Sequence, residues 1–227
     1  MIKHFLGIAG VATLVTACTG TPTVETGADA EVINGNLHRV DNSRASLAYV
    51  DPNADFSKYQ RVLIQPLGVD NVEIIQPSNT TSAIQRKEWA LTDADKQSLQ
   101  EMFAAAMEKQ LQERGDFPLA TTPDDDVLEI VAMITAIAPS GPKDDNRSRT
   151  PGRNYVITEG AGSIAVAVAF GDSETGEVLG LVKDARSSSS FWGMNNSVTN
   201  KAEVQRVFNS WATQINTALA RATGRDQ

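Results

Sequence analysis

The sequence predicts an α+β fold: a two-layer domain in which a small, mainly antiparallel sheet of about four to five strands packs against two helices. Three observations predict it. Residues 93–114 and 201–222 each carry apolar side chains at helical spacing. Residues 59–66, 127–137 and 162–170 read as strands, the last with strict alternation. The order strand, helix, strand, strand, strand, helix lets two helices cover one sheet and bury both apolar stripes.

Ahead of these elements lies a leader. Lys3, with His4 beside it, forms a short positive segment, and Phe5 to Ala17 is an uncharged apolar run of 13 residues. Crossing the hydrocarbon core as a helix takes roughly 20 apolar residues, so this run is read as a signal peptide over residues 1–17. It ends in Val15-Thr16-Ala17-Cys18, which resembles the lipobox of bacterial lipoprotein precursors. The resemblance implies cleavage before Cys18, a diacylglyceryl thioether on its sulfur and an acyl chain such as palmitate on the new amine. Thr19 stands where Asp signals retention in the inner membrane in bacteria with that sorting rule. The expected location is therefore the periplasmic face of the outer membrane, the alternative being the outer leaflet of the inner membrane. Residues 18–45 are polar and lack apolar periodicity, and they are read as a flexible tether reaching roughly 30 Å.

Order is expected from Ala48. Tyr59 to Pro66 is rich in aliphatic and β-branched residues, and Pro66, which cannot donate to a ladder, ends the strand or sits at an edge. Residues 71–88 read as a loop. The first helix has Thr92 as N-cap, Asp93 and Asp95 at its positive end, and Leu99, Met102, Phe103, Ala106, Met107 and Leu111 along one stripe, with Gly115 as a stop. Val127 to Ile137 is apolar on both faces, as a central strand is. Residues 139–153 read as a charged loop. In 162–170, Ile164, Val166, Val168 and Phe170 point one way and Ser163, Ala165, Ala167 and Ala169 the other. The small-residue face either admits close approach or lies open to solvent. Asp172 to Gly176 is a turn, after which residues 177–186 pair back as a hairpin. Residues 191–197 read as a loop. The last helix carries Val204, Val207, Phe208, Trp211, Ile215 and Leu219 inward, with Asn200 and Glu203 as a capping box.

Composition narrows the function classes. Of 227 residues, 21% are charged and the net charge is −8, or −9 without Lys3. That acidity repels nucleic acid, so no nucleic-acid partner is expected. Cys18 is the one cysteine, which excludes an intramolecular disulfide and a thiolate metal site. The two histidines are His4, in the signal, and His38, in the presumed tether; a folded part without histidine lacks the commonest general base and metal ligand.

Three stretches carry a family resemblance: Tyr49-Val-Asp-Pro-Asn-Ala-Asp-Phe-Ser-Lys-Tyr-Gln-Arg-Val-Leu-Ile-Gln-Pro66, Asp172-Ser-Glu-Thr-Gly-Glu-Val-Leu179 and Phe208-Asn-Ser-Trp-Ala212. With the lipobox they resemble the DUF3313 family of bacterial lipoproteins, over most of residues 45–222 and as a single domain over 46–224. The resemblance implies an envelope lipoprotein and carries over no activity and no site residues.

Few residue patterns point to chemistry. Asp124, Asp125 and Asp126, with Asp144 and Asp145, offer oxygen ligands but lack the spacing of a calcium-binding loop, and they read as a solvated acidic run. Gly160-Ala-Gly162 could cradle a phosphate but precedes a strand rather than a helix, and it reads as a loop or bulge. Ser187 to Ser190 lacks the nucleophile-elbow pattern. Phe191, Trp192 and Met194 form a candidate interaction loop, set against the plainer reading that they close the core. No cofactor, metal site or catalytic residue is expected. The reading is a non-catalytic interaction or accessory module, held to the membrane through lipid on Cys18 and facing an envelope protein partner. The alternative is a small-molecule binder or hydrolase working through carboxylates or a Ser/Lys pair.

Overall fold

The computed structural model describes residues 20–77, 88–140, 157–159, 162–187, 192–194 and 197–225. Its elements in chain order are β1 (Thr23–Val24), β2 (Val32–Ile33), β3 (Leu37–Asp41), β4 (Leu47–Val50), β5 (Arg61–Ile64), β6 (Glu73–Ile74), α1 (Asp93–Met107), β7 (Val127–Pro139), β8 (Ile157–Glu159), β9 (Gly162–Asp172), β10 (Val178–Ser187), β11 (Trp192–Met194) and α2 (Ser197–Ala222).

Among the described residues two helices lie over a main sheet of nine strands rather than four to five, and β8 and β11 pair as a separate two-stranded sheet. The order of the main sheet is β1-β3-β4-β10-β9-β7-β5, with β2 paired to β3 and β6 paired to β7. The extra strands are mostly short, and two-residue pairings leave no periodicity to read. Among the described residues the first strand starts at Thr23, inside the segment read as tether, and that segment carries β1, β2 and β3. The β2–β3 hairpin turns through Asn34-Gly35-Asn36, where Asn34 and Gly35 take positive φ (51° and 82°), the left-handed region that Asn and Gly tolerate best. His38 therefore belongs to the folded part, and its Nδ1 lies 2.8 Å from the carbonyl oxygen of Glu25.

The expected central strand and hairpin form the middle of the sheet. β7, β9 and β10 are consecutive antiparallel neighbours. β5 and β6 run parallel to β7 along its other edge, so α1 forms a β-α-β crossover. Pro66 lies beyond the end of β5, on that edge.

The helices cover one face only. Leu99, Phe103, Ala106, Met107 and Leu111 of the first helical segment and Val207, Phe208, Trp211 and Leu219 of α2 are buried against Leu128, Ile130, Ile134, Ile164, Val166 and Val168. Phe103 meets Phe208 edge-on, with centroids 5.7 Å apart, and locks the two helices together. Thr92 caps α1 in a full capping box with Asp95. Past Met107 the helix widens into a π-type turn over Glu108–Glu113. Gly115 lies where α2 comes closest: a methyl group there would stand 2.2 Å from Asn216 Oδ1. α2 begins at Ser197, a turn earlier than expected, so Asn200 lies inside the helix rather than at its N-cap.

Candidate functional site

A groove of about 210 Å³ opens where the first turns of both helices splay over the ends of β6, β7, β9 and β10. The alternation that builds the core also builds its floor, because Ile74, Ile137 and Ile164 are inward positions on three neighbouring strands. Leu99 and Met102 of α1 and Val204 and Val207 of α2 form its walls, with Trp89 and Leu91 beside them. Small-molecule pockets typically enclose about 300–1,000 Å³, so this one has room for one or two apolar side chains.

The charges around its mouth are held by the fold. Asp95 closes the capping box. Arg186 donates from Nε to Asp184 at 2.9 Å and from its terminal nitrogen to Ser210 Oγ. Arg206 pairs with Glu203. Lys201 stands exposed at the rim.

Two buried carboxylates are the strongest electrostatic features, and neither was singled out by sequence. Asp184 accepts from Arg186, from Trp211 Nε1 at 2.8 Å, and from the Ser46 amide and hydroxyl at 3.1 and 3.0 Å. Burial pushes its pKa up, and these four donors outweigh burial and leave it lowered. Asp172, at the far end of β9, accepts from Lys58 Nζ at 2.7 Å, Tyr59 Oη at 2.8 Å, and the amides of Glu174 and Thr175 at 3.1 and 2.9 Å. Burial again opposes, but the donors hold this carboxyl well below the usual range. Burial, followed by the bond to Asp172, pushes Tyr59 up to about 12. A carboxylate held this low, with its oxygens occupied, is a poor proton acceptor at neutral pH. The signal for Asp184 is its place in β10: Val182, Asp184 and Arg186 share the core-facing side, and two charges there predict a buried pair.

The sequence-stated candidates separate in space. The carboxylates of Asp124, Asp125 and Asp126 lie within 4.8 Å of one another, but the Arg61 guanidinium bonds Asp124 at 2.8 Å and Asp126 through Nε at 3.0 and 3.1 Å. Arg61 thus already supplies a positive partner to two of the three carboxylates. Trp192 and Met194 belong to β11, which pairs with β8, so this stretch is a strand and not the expected loop. Ser187 closes β10. Cys18, Asp144, Asp145, Gly160, Ser188 to Ser190 and Phe191 lie outside the described residues.

Each stretch that carried the resemblance supplies a donor or the acceptor to one of these two carboxylate sites. Lys58 and Tyr59 come from the first, Asp172 from the second, and Trp211 from the third. The family profile of the protein of unknown function DUF3313 matches residues 36–215. The chain belongs to the DUF3313 family. No curated protein matches the sequence. Among solved structures, similar chains include a DUF330 protein from Xanthomonas campestris (11% identity, 74% of this chain and 87% of that one, TM-score 0.41). A minor lipoprotein from Acinetobacter baumannii (14% identity, 74% and 95%, TM-score 0.29) and the PelC dodecamer from Paraburkholderia phytofirmans (9% identity, 74% and 96%, TM-score 0.38) are also similar. This DUF3313 chain thus has a family of unknown function and a site whose chemistry must be read from its own residues.

Proposed function

We propose that this DUF3313 protein is a lipid-anchored bacterial envelope lipoprotein whose domain is a non-catalytic interaction module facing the periplasm. The observation that carries the interaction role is the groove: an apolar floor and walls, a volume suited to one or two side chains, and rim charges largely engaged within the fold. Such a groove binds the apolar face of a partner segment, in the manner of helix-in-groove recognition. The buried carboxylates support the same reading, since each is held ionised by structural donors.

The anchor rests on the Val15-Thr16-Ala17-Cys18 sequence. Because β1 starts at Thr23, five residue steps separate the lipid-bearing position from it, a reach of at most about 18 Å. This is shorter than a 28-residue coil tether allows, and it holds the β1 edge of the sheet near the bilayer. Two or more acyl chains give stable anchoring. Cys18→Ser tests the anchor: the variant should appear as soluble protein or uncleaved precursor. A mature variant that stays membrane-bound like the natural chain would contradict it.

A further inference from the structure

Among the described residues no helix covers the β7–β9 part of the sheet face opposite α1 and α2, and its relief is particular. On β7, Val131 and Met133 point outward, 37% and 50% exposed. Beside them on β9 lie Ala169 and Ala167, in register with Val131 and Met133 respectively, and then Ala165. A ridge therefore runs next to a trough, one strand apart and level with each other. We infer that this face pairs two copies of the chain about a twofold axis parallel to β7 and β9.

The geometry follows from the register. A twofold axis lying midway between two facing sheets, above the line between β7 and β9, exchanges left and right and keeps height along the strands. It sets Met133 of each copy over Ala167 of the other and Val131 over Ala169, so every contact occurs twice, as an isologous interface requires. Side chains of the two inner faces interdigitate at the ~10 Å spacing of packed sheets, with strand directions within about 30°.

Charge and area agree with the same partner. The axis places β10 of one copy opposite the β5–β6 edge of the other, because these strands flank β9 and β7 symmetrically. Lys183 points outward from β10, level with Ala167, and Glu73 points outward from β6, level with Ala136 and Ala165. Both are exposed in the single chain. Each Lys183 thus faces the other copy's Glu73 within about 7 Å along the strands. The four central strands are about 19 Å wide and β9 about 37 Å long, a footprint of about 700 Å². A standard stable interface takes about 800 Å² from each partner. The pairing stands independently of the groove, which lies on the helical face.

The test is the mass of the full-length protein in detergent, by sedimentation across a concentration series. A two-chain species is expected. Ala167→Arg, which fills the trough, should yield single chains with unchanged circular dichroism and melting. Glu73→Lys and Lys183→Glu should each weaken pairing about tenfold, since each ion pair occurs twice, and the double reversal should restore it. If Ala167→Arg fails to fold, the charge-reversal series decides. Single chains at about 100 µM would overturn the inference. So would a two-chain species indifferent to all of these changes, or an Ala167 crosslink in cells that captures a different protein.

Discussion

Asp172 is the residue on which most of one end of the molecule depends. It ties the turn after β9 to Lys58 and Tyr59, some 113 residues earlier in the chain for the latter. Its folded pKa is depressed, so it stabilises the fold fully above the ordinary carboxylate range near pH 4, and that contribution is lost as pH falls from there through the folded value. Asp184 acts in the same direction. Asp172→Asn should cost about 2–3 kcal/mol at neutral pH and flatten the loss of stability below pH 4. Urea unfolding at a series of pH values checks both. Equal stability of variant and natural protein at pH 7 would contradict this role. At this scale the sequence was half legible. The Asp172 turn could be read from Asp and Gly at its ends, whereas its distant partners could not, because no local pattern links residue 58 to residue 172.

At the scale of elements, the two helices and the three central strands were legible because each is long and periodic. The strands that escaped notice are two to five residues long, and one clear signal among them, Asn34-Gly35 between Ile33 and Leu37, lay in a stretch whose polarity reads as tether. The start of α2 was displaced by a turn because Asn200 and Glu203 mimic a cap. Gly115 illustrates a sequence feature with a different cause from the one expected. It is a contact glycine, pressed between Leu111 O at 2.7 Å and Asn216 Oδ1 at 2.2 Å from the position of an added methyl. Asn216 Oδ1 is also buried and has no hydrogen-bond partner among the described residues. Gly115→Ala should therefore destabilise by about 1–3 kcal/mol. Combined with Asn216→Ala, which removes the obstructing oxygen, the loss should be smaller than the sum of the two single changes. Thermal melts of the four-member cycle test it, and strict additivity would contradict the contact.

At the scale of the whole molecule, the two faces of the sheet have different fates. The sequence shows β7 apolar on both sides, and burial by the helices accounts for one side only. What covers the other side is not written in a single chain's periodicity, since the same alternation serves a second copy or solvent. The groove was equally hidden: its walls come from six elements, and its residues read one by one as ordinary core. The leash length belongs to this scale as well. With β1 at Thr23, neutron reflectometry on a supported bilayer should find the lipidated domain's density directly against the headgroups. A water layer of about 30 Å, the span of a coil tether, would contradict it.

The interaction role itself is tested most directly in growing cells. A photoreactive residue at Ser98, on the wall of the groove, is compared with one at Glu101, on the exposed side of α1. The groove reading predicts a discrete adduct with an envelope protein from position 98, absent from position 101 and lost when Val204→Glu places a charge in the wall. No adduct from position 98 above that from position 101 would contradict it.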